Sequence, residues 1–127
     1  MDEEEKLEKS IKINDLRITD EWIGQNKNAW KSIKEQAKNR NAFKPKPRNL
    51  LKQLLARKDH NTYLDLDDIH IPTFLLGGKY DGIAPVLNME KMHQKIRNSK
   101  LEFYDGGHLF LMQDKNAFQD IINWLTH

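Results

Sequence analysis

A chain of 127 residues, 38% hydrophobic and 31% charged with a net charge of +2, has the size and balance of one modest, rather polar globular domain. It contains no cysteine, which excludes disulfides, thiolate metal sites and a cysteine nucleophile within these residues. No apolar run approaches the roughly 18 residues that a membrane span requires, and the acidic start Asp2–Glu5 is the reverse of a signal peptide's basic one, so a cytoplasmic chain with no membrane partner is expected.

From Met1 to Ser10 the chain is a charge run with too little apolar surface to fold alone, read as a frayed helix or tail. Ile11, Ile13, Leu16 and Ile18 supply short apolar anchors, after which Thr19 or Asp20 can cap a helix with Glu21 in its first turn. Trp22, Asn26, Trp30, Ile33 and Ala37 share one face of that helix, with Lys27, Lys31, Lys34 and Lys38 outside it and an end near Arg40. Lys27 to Lys58 holds 11 basic residues against one acid, Glu35, leaving 10 basic against 18 acidic elsewhere. Trp30 and Phe43 among these cations raise the question of a nucleic-acid or anionic surface. Trp30 falls on the apolar stripe, however, so a solvated outer face is favoured and nucleic acid is not an expected partner. Phe43 to Pro47 reads as extended because of its two prolines, and Leu50, Leu51, Leu54 and Leu55 give a short amphipathic helix finishing at Arg57 and Lys58.

Asp65 to Asp68 is a polar approach to the most informative stretch of the chain. Thr73 to Leu76 is a short apolar run fenced by Pro72 and by Gly77 and Gly78, as for a strand buried in a parallel sheet, and the turn after it holds up Asp81. Pro85 suits the first position of a helix with Met89, Met92 or His93, and Ile96 on its buried stripe, stopping near Asn98. Leu101 and Phe103 alternate with Lys100 and Glu102 in a second, half-buried strand ending at Tyr104, and Gly106 and Gly107 then hold up His108. Asp114 or Asn116 caps a last helix with Phe118, Ile121, Ile122 and Leu125 on one face. The 27 positions between Asp81 and His108 leave room for a crossover helix, which makes a βαβ unit with acid and imidazole at the same end. Paired strands lie about 4.7–4.9 Å apart, so the two loops can bring these side chains into contact. Each residue alone reads as a turn residue; together they read as a couple in which the acid orients the imidazole and the other ring nitrogen takes a proton.

The residues Gly77-Gly-Lys-Tyr-Asp81-Gly-Ile-Ala-Pro85, then Gly106-Gly-His108-Leu-Phe, then Phe118 to Leu125 resemble the C-terminal end of an α/β-hydrolase-fold enzyme, specifically over Ile69 to Leu125 and loosely before that. In that family the triad runs nucleophile, acid, histidine along the chain, so the resemblance gives Asp81 the acid's place and His108 the histidine's. It implies an α/β fold in two parts. Residues 1–68 would be a helical cap remnant with a charged tail, and residues 69–127 the strand–helix–strand–helix end of the parallel sheet. It further implies hydrolysis of a carboxylic ester, lactone or related small-molecule carbonyl substrate, with no cofactor. Leu109 and Phe110 would line the substrate pocket beside the histidine, with Trp22 and Trp30 closing it from the cap.

The nucleophile is missing from this pattern. Ser10, Ser32 and Ser99 are the only serines, and none has glycines two positions away on both sides, so each reads as a capping or solvated hydroxyl. The attacking group is therefore expected outside these residues and the chain alone is expected to be inactive. His60 beside Asp59, and His70 near Asp67 and Asp68, lack metal-ligand spacing, and no metal is expected. The rival reading is a non-catalytic interaction or anion-binding module derived from the same fold. Either way, the strand Thr73 to Leu76 has one encoded neighbour, and its other edge calls for self-association or pairing with a separate N-terminal half.

Overall fold

In a computed structural model of the chain, residues 2–40 and 47–127 are described. The expected extended stretch Phe43 to Pro47 falls, but for Pro47, outside them. Of the two expectations for the charged start, a frayed helix or a tail, the structure has a helix, α1 (Glu3–Asn14), and it is capped and runs past Ser10. Its start is fixed by a capping box, in which the Glu5 amide donates to Asp2 Oδ1 at 2.8 Å and the Asp2 amide to Glu5 Oε2 at 3.0 Å, and three glutamates in the first turn oppose the helix dipole. Leu7 and Ile11, one turn apart, are buried against Trp30, with Ile18, Trp22, Ile23, Ile33 and Ala37 packed around them. The single helix expected from Thr19 to Arg40 is two, α2 (Asp20–Gln25) and α3 (Lys27–Arg40). Asn26 breaks it: its backbone leaves helical geometry and its side chain donates to the Trp22 carbonyl at 2.9 Å, the local competition that makes asparagine a poor helix-interior residue.

Part of the basic excess is neutralised within the fold, because Lys34 Nζ lies 3.0 Å from Glu4 and 3.2 Å from Glu8 across the α1–α3 contact. Helix α4 (Pro47–Arg57) has no buried residue. All four of its leucines are exposed. A 3₁₀ turn, Tyr63–Asp68, precedes the sheet and is pinned by Lys95, which meets Asp67 at 2.6 Å.

Strand β1 (Thr73–Gly78) and strand β2 (Ser99–Tyr104) run parallel, from Thr73 opposite Ser99 to Gly78 opposite Tyr104. The crossover between them is helix α5 (Val86–Lys95), with Pro85 at its N-cap. Ile96, just past its end, is only 2% exposed. Among the described residues the sheet has these two strands only, so one edge of each is free. A pair of strands is marginal by itself and relies on helices against its faces. Beyond β2, a short helix α6 (Phe110–Gln113), which periodicity could not reveal in four residues, leads into α7 (Lys115–Thr126) with Asp114 as its cap. The buried face of α7 is one step round from the expected stripe. Ala117 is fully buried, and Trp124 meets Phe74 of β1 at 5.3 Å, while Phe118, Ile122 and Leu125 stay exposed. No helix among the described residues is long and apolar enough to cross a membrane.

The glycines after the strands are there for space. A Cβ on Gly107 would collide with the Asn14 carbonyl oxygen and lie 2.8 Å from Asp15 Cα, whereas one on Gly24 in α2 would meet nothing within 4 Å. Gly107→Ala is expected to cost about 1–3 kcal/mol or more, since backbone is the obstacle. Gly24→Ala should be neutral or stabilising by about 0.5–1 kcal/mol; urea unfolding of the two variants measures the difference.

Candidate active site

Because the strands are parallel and in register, their C-terminal exits lie level, and the two following loops start side by side. The first loop folds on Asp81, whose Oδ1 accepts from the amides of Ile83 at 2.8 Å and Ala84 at 2.9 Å. This is the turn that an aspartate in such a position makes. The second carboxylate oxygen is left over, and it lies 2.9 Å from His108 Nδ1. Turn formation and contact with the imidazole thus fall to different oxygens of one carboxylate. The Asp81 side chain is 3% exposed and that of His108 42%. A buried acid behind a half-exposed ring is the arrangement in which a carboxylate accepts Nδ1–H and leaves Nε2 with its lone pair.

The residues between α1 and α2 enter this site, and the sequence pattern did not point to them. The Leu16 amide donates to the Tyr80 carbonyl at 2.9 Å, the Gly82 amide to the Ile13 carbonyl at 3.0 Å, and the His108 amide to the Asn14 carbonyl at 2.6 Å. Asp15, buried at 7% exposure, accepts from Arg17 Nη2 at 2.7 Å, Arg17 Nε at 3.0 Å and Gln113 Nε2 at 3.1 Å. Gln113 returns its Oε1 to the Gly107 amide at 2.8 Å. Arg17 also sits over the Tyr80 ring and 3.5 Å from Asp105. The available signal was an acid set among the apolar anchors Ile11, Ile13, Leu16 and Ile18, with a cation two positions on: a buried charge requires a partner.

The electrostatics follow these contacts. Burial alone would raise the Asp15 carboxyl, but the Arg17 hydrogen bonds and charge, helped by Gln113, outweigh it and hold the group below its ordinary value. The Arg17 guanidinium is held above its own by Asp15. Asp114 is lowered by the amides of Asp105 and Asn116. Tyr104 is pushed far above the usual phenol range by burial and by its bond to Asp120.

A cavity of about 480 Å³ between α1, α3 and α6 is lined by Leu7, Ile11, Ile33, Leu109 and Met112, with Arg40 among its polar wall. Leu109 borders this cavity, whereas Asp81, His108 and Phe110 are not in its lining. Phe110 stacks on Tyr104 with centroids 5.7 Å apart. Trp30 is buried among Leu7 and Ile11, and Trp22 is packed against that cluster; neither lines the cavity. Among the described residues no group of histidine and acid side chains could hold a metal ion.

No family model matches the chain, and no solved structure matches it. Over 57 residues, 45% of the chain, it is 39% identical to a poly(3-hydroxyalkanoate) depolymerase of Ectopseudomonas oleovorans, and the match covers 20% of that protein's length. This partial identity relates the chain to a hydrolase.

Asp15 makes the stability of this region acid-sensitive in a defined direction. A carboxyl held below its ordinary value stabilises the fold fully above the unfolded-state pKa of about 3.9, and the contribution is lost as pH falls through that value and on through the lower folded one. The difference in Tm between the wild type and Asp15→Asn is expected to be several degrees at neutral pH and to shrink below about pH 4. Thermal unfolding of both proteins across that range measures it, with Asp105, Asp114 and the other carboxylates common to both.

Proposed function

We propose that Asp81 and His108 are the acid and the histidine of a hydrolytic triad whose nucleophile lies outside these 127 residues. The observation that carries this reading is the 2.9 Å contact between a buried carboxylate and a half-exposed imidazole at the level ends of two parallel strands. The partial identity to a depolymerase supports the hydrolase class. In the complete site Nε2 of His108 takes the proton of the attacking group as that group bonds to the carbonyl carbon. Asp81 stabilises the resulting imidazolium, which then delivers the proton to the departing alkoxide. A second pass with water, activated by the same nitrogen, releases the acid and restores the nucleophile. The substrate is a carboxylic ester, lactone or related carbonyl compound, and the cavity beside Leu109 receives its apolar part. Residues up to 68 serve as the helical cap over the strand–helix–strand–helix end of the sheet.

A second reading, a binding module without catalysis, has one observation in its favour. Helix α4 presents Leu50, Leu51, Leu54 and Leu55 on an exposed face, and in the helical projection Arg48 and Arg57 flank that stripe.

One measurement tests where the nucleophile lies and a second separates the two readings. The purified 127-residue chain is expected to show no esterase turnover; turnover that His108→Ala abolishes would place the nucleophile inside it. In a protein that carries these residues together with a nucleophile elbow, Asp81→Asn is expected to lower kcat on the order of 10⁴-fold, while a change below tenfold would favour the binding module. The free edge of β1, with Phe118, Ile122 and Leu125 exposed on α7, also requires cover. Light scattering on the purified chain should give a mass above 15.0 kDa, and a sharp monomer peak with cooperative unfolding would contradict that.

A further inference from the structure

The loops that carry Asp81 and His108 are rich in glycine, with Gly78 and Gly82 around the first and Gly106 and Gly107 before the second. Glycine leaves a backbone many alternatives, yet a hydrogen bond between two loops tolerates only tenths of an ångström. Something outside the loops has to fix their separation. The turn formed by residues 13–17 touches both. Ile13 and Leu16 hold the residues on either side of Asp81, namely Gly82 and Tyr80, while Asn14 holds the amide of His108 itself. At the centre of the turn the Asp15 carboxylate is gripped three ways by Arg17, through its amide, Nε and Nη2. The same carboxylate is tied through Gln113 to the amide of Gly107.

We infer that Asp15 and Arg17 are positioning residues for the Asp81–His108 couple: the clasp they form sets the distance between the two loops and so makes the hydrogen bond between acid and imidazole. This rests on the reading of Asp81 and His108 as acid and base. It predicts that a change at Asp15 or Arg17, neither of which touches the imidazole, alters the state of the ring. The remaining charged group facing the clasp is Asp105, at the edge of Arg17, and the aromatic face is that of Tyr80.

The test is imidazole nitrogen NMR of the 127-residue chain, recorded on the alkaline plateau where the ring-nitrogen shifts no longer change with pH. The wild type is expected to show His108 protonated at Nδ1. Asp81→Ala should move the proton to Nε2, and Asp15→Ala and Arg17→Ala should each cut the Nδ1-protonated population at least twofold. The resonances of His70 and His93 and the strand amides should stay in place. Arg17→Lys, which keeps one donor and the charge, should recover part of the loss. A His108 ring that does not respond to Asp81→Ala removes the acid–base reading itself. If Asp81→Ala acts and both clasp variants leave the His108 tautomer at its wild-type ratio, the couple stands and the positioning role is overturned. Should Asp15→Ala fail to fold, Gln113→Leu removes a single arm of the clasp, and an unchanged tautomer there overturns the inference equally.

Discussion

Parallel pairing in register, with Gly78 opposite Tyr104, is the constraint on which the rest of this structure depends. It places the ends of two strands level, and it forces the chain between them to cross back over the sheet, which α5 does. An antiparallel pair would send the loops after β1 and β2 to opposite ends, and the acid and the imidazole could not meet. The buried position of Asp81 follows from the same geometry, since its loop tucks back over the sheet end, where the amides of Ile83 and Ala84 satisfy one oxygen. A carboxylate is tolerated there because each of its two oxygens has a hydrogen-bond partner.

Pairing of strands brings the loops near one another, and the turn between α1 and α2 holds them there. That turn approaches so closely that side chains are excluded at several points. A Cβ on Gly82 would fall 2.6 Å from the Ile13 carbonyl oxygen, and one on Gly107 2.8 Å from Asp15 Cα. The glycines are thus required by their neighbours' proximity, as no glycine here has a positive φ. Helix α1 carries the turn, and α1 is itself held by Leu7 and Ile11 against Trp30. A line of packing therefore runs from the helical core to the imidazole.

Strand, crossover and strand were legible in the sequence because each was bounded by proline or glycine and carried the right alternation, and the acid and histidine stood at matching ends. The helical half was legible in composition and less so in its breaks. Asn26 divides one apolar stripe into two helices by bonding to Trp22, which periodicity at i, i+4 does not register. At the start a frayed helix was one of the expectations, but its docking was hidden by its charge, since two buried residues, Leu7 and Ile11, suffice for it. The stripe on α7 was right at Ile121, which is half-buried, and off at its start, where Ala117 and not the larger Phe118 takes the inward place. The clasp had a local signal only in part: Arg17 stands two positions from Asp15, but the Gln113 arm lies 98 positions away and nothing local marks it as a neighbour.

That separation bears on how the molecule assembles. The two strands pair across 26 positions (Thr73 with Ser99), a contact the chain reaches through one helix. The bonds from Arg17 to Asp105 and from Gln113 to Asp15 span 88 and 98 positions. Closing longer loops costs more entropy and delays their contacts, so the sheet unit can form while the α1–α2 turn is still free. By the same measure the Asp81–His108 contact, 27 positions apart, belongs with the sheet unit, and the contacts that close last are those to the α1–α2 turn.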